Sequence, residues 1–180
     1  MSADLQPTLT GGLVALRPVA AADWDALYAV ASDPLIWAVH PVNDRWQEPV
    51  FRRFFDDAIA GGGGLVATDV TSGEIIGFSR YDLARVEPGE VEIGWTFLAR
   101  SYWGGAANAD MKRLMIGHAL RQFDRALFLV GETNIRSRRA MEKIGGRLTD
   151  RIYDADYPSG VVRHVIYAID RKGFAAGPLA

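Results

Sequence analysis

Two stretches of the 180-residue sequence set small and polar residues at spacings that suit ligand chemistry. The first is Arg100-Ser101-Tyr102-Trp103-Gly104-Gly105-Ala106-Ala107-Asn108, between a strand pattern at Glu90–Leu98 and a helical pattern. Small side chains at 104 to 107 let the backbone approach a ligand closely. The helix that follows offers unpaired N–H groups and the positive end of its dipole, which together suit a pyrophosphate. A glycine turn needed only for chain reversal would read the same way. The second stretch is Asn134-Ile135-Arg136-Ser137, followed by Glu142-Lys143-Ile144-Gly145-Gly146. Asn134 stands where a helix N-cap belongs and can accept from the backbone N–H of Arg136 or Ser137. Ser137 shares a face with Ala140, Met141 and Ile144, at i, i+3, i+4 and i+7. That face is otherwise apolar, so the hydroxyl points inward, either to a ligand or to a carbonyl one turn back.

A third candidate is Glu92. It alternates with Val91, Ile93 and Trp95, which puts it on the strand face of Gly94 and Thr96. A carboxylate beside a glycine in mid-strand can line a cleft and accept a proton, directly or through water. It can equally be a solvated or arginine-paired glutamate. His40, Asp44, Arg45, Arg80 and Tyr81 sit on segments that could wall the same cleft, and His118 falls near an apolar helical face as a packed core histidine.

The elements that must position these groups follow from hydropathic period. Alternation predicts strands at Leu13–Arg17, Leu65–Val70, Glu74–Asp82 and Glu90–Leu98, the second and third joined by a tight turn at Thr71-Ser72-Gly73. Ala126–Val130 is an uninterrupted apolar run, the mark of a strand covered on both faces. Helical spacing predicts helices at Asp23–Ala31 (closed by Asp33-Pro34), Glu48–Ala60, Asn108–Phe123 and Asn134–Ile144. Trp37–Gln47 reads as a loop and Gly61–Gly64 as a flexible turn. Two closing strands, Arg147–Asp154 and Val161–Ile169, meet around Tyr157-Pro158-Ser159-Gly160, and Phe174–Ala180 reads as a frayed tail. Mostly antiparallel strands feeding a short parallel segment predict an α/β (α+β) architecture: one mixed, mostly antiparallel central sheet with helices on both faces. Length and the absence of a linker predict one domain, residues 1–180, with its core at about 10–170.

Composition narrows the function classes. Hydrophobic residues make up 49% and charged residues 23%, with a formal net charge of -2, so bulk electrostatics argues for no nucleic acid. No cysteine is present, which removes disulfides, thiolate metal ligands and a thiol nucleophile. The three histidines have no metal-binding spacing, so no metal is expected. Met1–Pro7 lacks the basic start and apolar run of a signal peptide, and no apolar stretch is long enough to span a bilayer. The expectation is a cytoplasmic protein without membrane association, a monomer or homodimer.

In order and spacing, the two motifs resemble those of the GNAT superfamily of acetyltransferases, and most closely its branch related to ribosomal-protein N-terminal acetyltransferases. Glu92–Leu98 with Tyr102–Ala106 looks like that branch's coenzyme A strand and pyrophosphate loop. Asn134, Ser137 and Glu142–Gly145 look like its later asparagine–serine helix, and Leu13–Pro18 like its first strand. The likeness extends over about residues 10–170. Ser101, Ala106 and the run Ala107-Asn108-Ala109-Asp110 depart from the usual loop. Asn108 either contacts the pyrophosphate or caps the helix.

The resemblance implies a GNAT-like acyl-coenzyme A N-acyltransferase fold and acetyl transfer from acetyl-coenzyme A to a primary amine, a protein N-terminus or a small molecule. It implies that pantetheine pairs with the backbone at Phe97 and Leu98 and that amides of Gly104, Gly105, Ala106, Ala107 and Asn108 hold the pyrophosphate. Asn134 would bond the pantetheine arm, Ser137 would protonate the leaving sulfur, and Glu92 would be the base. An alternative is a degenerate domain that binds acyl-coenzyme A as a sensor or assembly partner. A nucleotide-binding module is a third reading, weakened by the missing Walker lysine and GxGxxG pattern.

Overall fold

The computed structural model of the chain describes residues 3–157 and 159–180. The strands are β1 (Leu9–Thr10), β2 (Val14–Pro18), β3 (Gly64–Asp69), β4 (Ile75–Asp82), β5 (Glu90–Leu98), β6 (Arg125–Gly131), β7 (Arg147–Tyr157) and β8 (Gly160–Asp170). The helices are α1 (Trp24–Ala31), α2 (Pro34–Trp37), α3 (Glu48–Gly61), α4 (Ala107–Ala119), α5 (Ile135–Lys143) and α6 (Arg171–Ala175). All eight strands form one sheet in the order β1-β2-β3-β4-β5-β6-β8-β7. Neighbours run antiparallel except β5 and β6, which are parallel. The expected mixed, mostly antiparallel sheet is what forms.

Each face of the sheet is covered for a reason legible in the helices. On one side α3 turns Phe51, Phe55 and Ala58 inward, where they pack with Leu27, Trp37, Phe78 and Phe97. On the other, Met111, Met115, Ile116 and Ala119 of α4 meet Ala126 and Phe128 of β6, with Met141 of α5 joining them. Burying each such large side chain stabilises the fold by roughly 1.5–3 kcal/mol, so truncating fully buried Met115 to alanine would cost about 2–5 kcal/mol. The Asp110 carboxylate accepts from the N–H groups of Leu13 and Val14 at 2.8 and 3.0 Å, tying the start of α4 to β2.

Several expected boundaries shift. Asp33-Pro34 closes α1 but also opens α2, with Asp33 accepting from Leu35 N–H and proline at the first turn, where it needs no donor. The short strand β1 escaped prediction because two residues carry no period. The chain leaves the α4 helix at Leu120, short of the predicted Phe123. Pro158 of the expected final turn lies outside the described residues, as do Met1 and Ser2 of the N-terminal stretch. The expected frayed tail is corrected. Asp170 caps α6 by accepting from Gly173 N–H at 2.6 Å, Arg171 donates to the carbonyls of Leu120 and Phe123, and Leu179 is buried in the same core cluster as Met115. Apolar burial and a cap hold a segment whose composition alone looked loose. No helix among the described residues is long and apolar enough to cross a membrane.

Candidate active site

The site arises where the sheet comes apart. The β5–β6 ladder runs from Glu90–Arg125 to Glu92–Leu127 and stops there. Just beyond, β5 carries one more residue than β4 between the pairs Arg80–Gly94 and Phe78–Phe97, a β-bulge. Trp95 occupies it with φ of 54°, a left-handed conformation that a bulky side chain adopts only where its surroundings impose it. Arg80 and Arg85 stack on its ring at 4.8 and 4.9 Å, which holds the indole in place.

Two cavities meet in the opening. One, of about 270 Å³, is lined by Glu92, Gly94, Thr96, Lys112, Arg45 and His164 among others. The second, of about 440 Å³, is lined by Phe97, Leu98, Trp103, Gly104 and Arg136 among others. Thr96, Asn108, Asn134 and Ser137 border both, so the two form one cleft from the glycine loop to the gap beside β6.

At the loop end, Gly104 has φ of 72°, open to glycine and strained for other residues. The N–H groups of Gly104, Gly105, Ala106, Ala107 and Asn108 find no acceptor among the described residues, as the first turn of α4 requires. Gly105 and Ala106 are exposed, whereas the Ala107 methyl is buried in the core, leaving only its backbone for a ligand. Asn108 is the second residue of α4 and Ala106 its cap, so the capping role considered for Asn108 is excluded.

At the other end, the Asn134 side chain accepts from Ser137 N–H at 3.1 Å and caps α5. Ser137 and Ala140 turn toward the cleft, and the serine hydroxyl has no partner among the described residues, so it does not bond back onto its helix. The Glu92 carboxylate is almost fully buried and takes two hydrogen bonds from Arg85, at 3.0 and 2.5 Å. Burial raises its pKa, outweighing the pull of the Arg85 charge. Gly94 permits this arrangement, because a Cβ there would lie 3.1 Å from a Glu92 oxygen.

Of the residues expected to wall the cleft, His40 and Arg45 do so. Asp44 is exposed, Arg80 pairs with Asp82, and the Tyr81 hydroxyl donates to Met115 O on the opposite face. His118 lies at the margin of the core: its ring packs against buried Tyr81 at 6.0 Å between centroids and contacts Asp4 O at 2.8 Å.

Sequence reading missed Arg85, Lys112, Tyr157 and His164, all of which line the cleft. Lys112 had a signal: it shares a helical face with Met115, Ile116 and Ala119, where an ammonium is out of place. Its Nζ donates to Thr96 Oγ1 at 2.9 Å and lies 5.1 Å from the Phe128 ring. Burial lowers its pKa to about 7. His164 Nδ1 sits 3.1 Å from Val162 O, which makes it the donor and leaves Nε2 as an acceptor. Burial lowers the His164 pKa, which favours the neutral ring.

Residues 14–147 match the family described as Acetyltransferase (GNAT) domain. The chain belongs to this GNAT acetyltransferase family. No curated protein matches the sequence. Among solved structures, the GNAT fold here is similar to a GCN5-related N-acetyltransferase from Brucella melitensis, with a TM-score of 0.77 at 20% identity, covering 95% of this chain and 81% of that one. A GNAT-family acetyltransferase from Bacillus anthracis gives a TM-score of 0.74 at 18% identity, covering 92% and 99%. The RimJ protein of Mycobacterium smegmatis, solved in complex with CoA-disulfide, gives 0.72 at 18% identity, covering 96% and 91%. At these identities the likeness concerns the GNAT fold.

Proposed function

We propose that the protein is an acetyl-coenzyme A-dependent N-acetyltransferase acting on a primary amine by direct attack. The observation that carries this is the unpartnered Ser137 hydroxyl, set in a cleft that runs without interruption to the bare N–H groups at the start of α4. Bound acetyl-coenzyme A supplies an activated thioester carbonyl. The amides of Gly104 to Asn108 and the α4 dipole bind its pyrophosphate, and Arg136, stacked on Trp103 at 4.6 Å, stands beside that loop as a further cation. The edge of β5 at Phe97 and Leu98 has no ladder partner on the β6 side, which leaves it free to pair with an extended pantetheine arm. Asn134 fixes the start of α5 and thereby the position of Ser137.

Transfer needs an unprotonated amine and a stabilised leaving thiolate. Ser137 donates its proton toward the sulfur. Glu92 accepts a proton from the amine, its basicity raised by burial while Arg85 holds its orientation. Calorimetry with acetyl-coenzyme A, followed by thiol release across peptides, polyamines, amino acids and aminoglycosides, tests this reading. Binding with turnover supports it. Binding without turnover on any amine returns the protein to a sensor or assembly role, and failure to bind removes coenzyme A from the account.

A further inference from the structure

Arg45 is a guanidinium without a hydrogen-bond acceptor among the described residues. Its Cζ lies 5.1 Å from the Trp37 ring and 4.9 Å from the Phe54 ring, so the stem and planar head are held by aromatic faces. No carboxylate lies within 4 Å of it among the described residues. Its one polar contact among the described residues is His40 Nε2 at 3.5 Å, while the Tyr157 and Asp44 side chains act on its charge without a hydrogen bond. That contact is not a hydrogen bond. His40 Nδ1 accepts from Val42 N–H at 2.9 Å, so the neutral ring must carry its proton on Nε2, facing the arginine. Burial first, and then the Arg45 charge, lower the His40 pKa to about 3, so the ring is neutral throughout the working range. Burial also lowers Arg45 itself, to about 10, which still leaves it charged at neutral pH.

The rest of the cavity does not compensate. Glu92 is the one carboxylate among the described residues that line it, and both its oxygens are taken by Arg85. Lys112 adds a further partial positive charge at the floor. A polycationic acceptor entering this space would place ammonium groups against Arg45 and Lys112, with only the arginine-paired Glu92 to meet them. An acceptor with its own oxyanion would complete Arg45 instead.

We infer that the acceptor is a small amine bearing an oxyanion, which Arg45 binds through its free N–H fork. The inference rests on the acetyl-transfer reading above and names the substrate class for it. A planar guanidinium recognises carboxylate or phosphate through paired hydrogen bonds, and neither a carboxamide nor a hydroxyl reproduces that charge-assisted pairing. A cavity of about 270 Å³ suits a molecule of amino-acid size.

The test needs no turnover. N-acetyl amino acids and N-acetyl-O-phosphoethanolamine are titrated calorimetrically into the protein loaded with coenzyme A, beside their carboxamide and N-acetylethanolamine counterparts. At least one carboxylate or phosphate ligand should bind about 10–100-fold more tightly than its neutral partner, and which of the two does so identifies the oxyanion. Arg45→Gln should abolish that difference with coenzyme affinity unchanged, while Arg45→Lys retains part of it. Should Arg45→Gln fail to fold, as loss of coenzyme binding would reveal, the Arg45→Lys comparison carries the test. Equal binding of charged and neutral ligands, no binding of either, or a preference that survives in the variants would overturn the assignment. A charge preference in binding without thiol release in the amine panel would sink the acetyl-transfer reading and leave the oxyanion site standing.

Discussion

The Lys112 ammonium donates to the Thr96 hydroxyl at 2.9 Å across the gap where β5 and β6 part, and no carboxylate lies within 4 Å of it among the described residues. One neutral acceptor and an aromatic face are thin compensation for a side chain only 3% exposed.

This arrangement makes stability depend on pH in a definite sense. Burial holds Lys112 near 7 in the folded state against 10.5 when unfolded, so the unfolded chain binds more protons between those values. Stability contributed at this site therefore rises with pH from about 7 to 10.5 and is lowest below 7. Lys112→Met should stabilise the protein by a few kcal/mol, roughly, at pH 6 to 7, with the gain shrinking toward pH 10. Denaturant melts of both proteins across that range check it. A difference that does not vary with pH would mean Lys112 finds other partners.

The loop is tested most cleanly at Gly105. Gly104 has positive φ, so any side chain there strains the backbone whatever the ligand does. At Gly105 an added Cβ meets nothing closer than Tyr102 O at 3.8 Å, so alanine fits the folded loop. Gly105→Ala should leave the melting temperature unchanged while weakening acetyl-coenzyme A binding by about tenfold, a change of about 1.4 kcal/mol. Unaltered affinity would reduce the loop to a chain reversal.

Ser137 separates an enzyme from a binding module. Its hydroxyl bonds nothing among the described residues, so Ser137→Ala should barely change stability. If Ser137 is the proton donor to sulfur, its loss should cut turnover by about 10²-fold or more, within the 10²–10⁴-fold that general acid–base assistance typically contributes. Asn134→Ala should behave differently, costing about 1 kcal/mol of stability by removing the α5 cap. Thermal melts and initial rates on both variants decide it; a Ser137→Ala protein with full turnover per folded molecule would take the serine out of the mechanism.

Glu92 and Arg85 should be coupled in the pH–rate profile. Burial raises the Glu92 pKa and the Arg85 charge restrains that rise. If Glu92 is the base, activity falls as pH drops through its pKa. Arg85→Met should then move this acid limb to higher pH, because the restraining charge is gone. Glu92→Gln should remove the limb and lower the plateau by about 10²-fold. An acid limb that persists in Glu92→Gln would transfer the role to His164, whose Nε2 lines the same cavity as an acceptor.

The sequence by itself determined most of the elements and the family. Periodicity marked the strands from Leu65 to Leu98, the covered strand at Ala126–Val130 and the helices carrying Met111 and Ser137, because each pattern repeats within a few residues of chain. The glycine loop and the Asn134–Ser137 cap were legible for the same reason: turn and cap chemistry is local. The cleft was not. Its walls come from Arg45 before α3, Arg85 between β4 and β5, Lys112 on α4 and His164 on β8, segments that meet only when the sheet closes. The bulge at Trp95 and the premature end of the β5–β6 ladder leave no periodic trace, since they depend on what neighbouring strands permit. Whether a buried charge has a partner is likewise a property of the assembled fold. Glu92 found Arg85 seven residues upstream, while Arg45 was left with aromatic rings and a neutral imidazole, because burial and distance, not residue type, decide which charges are compensated.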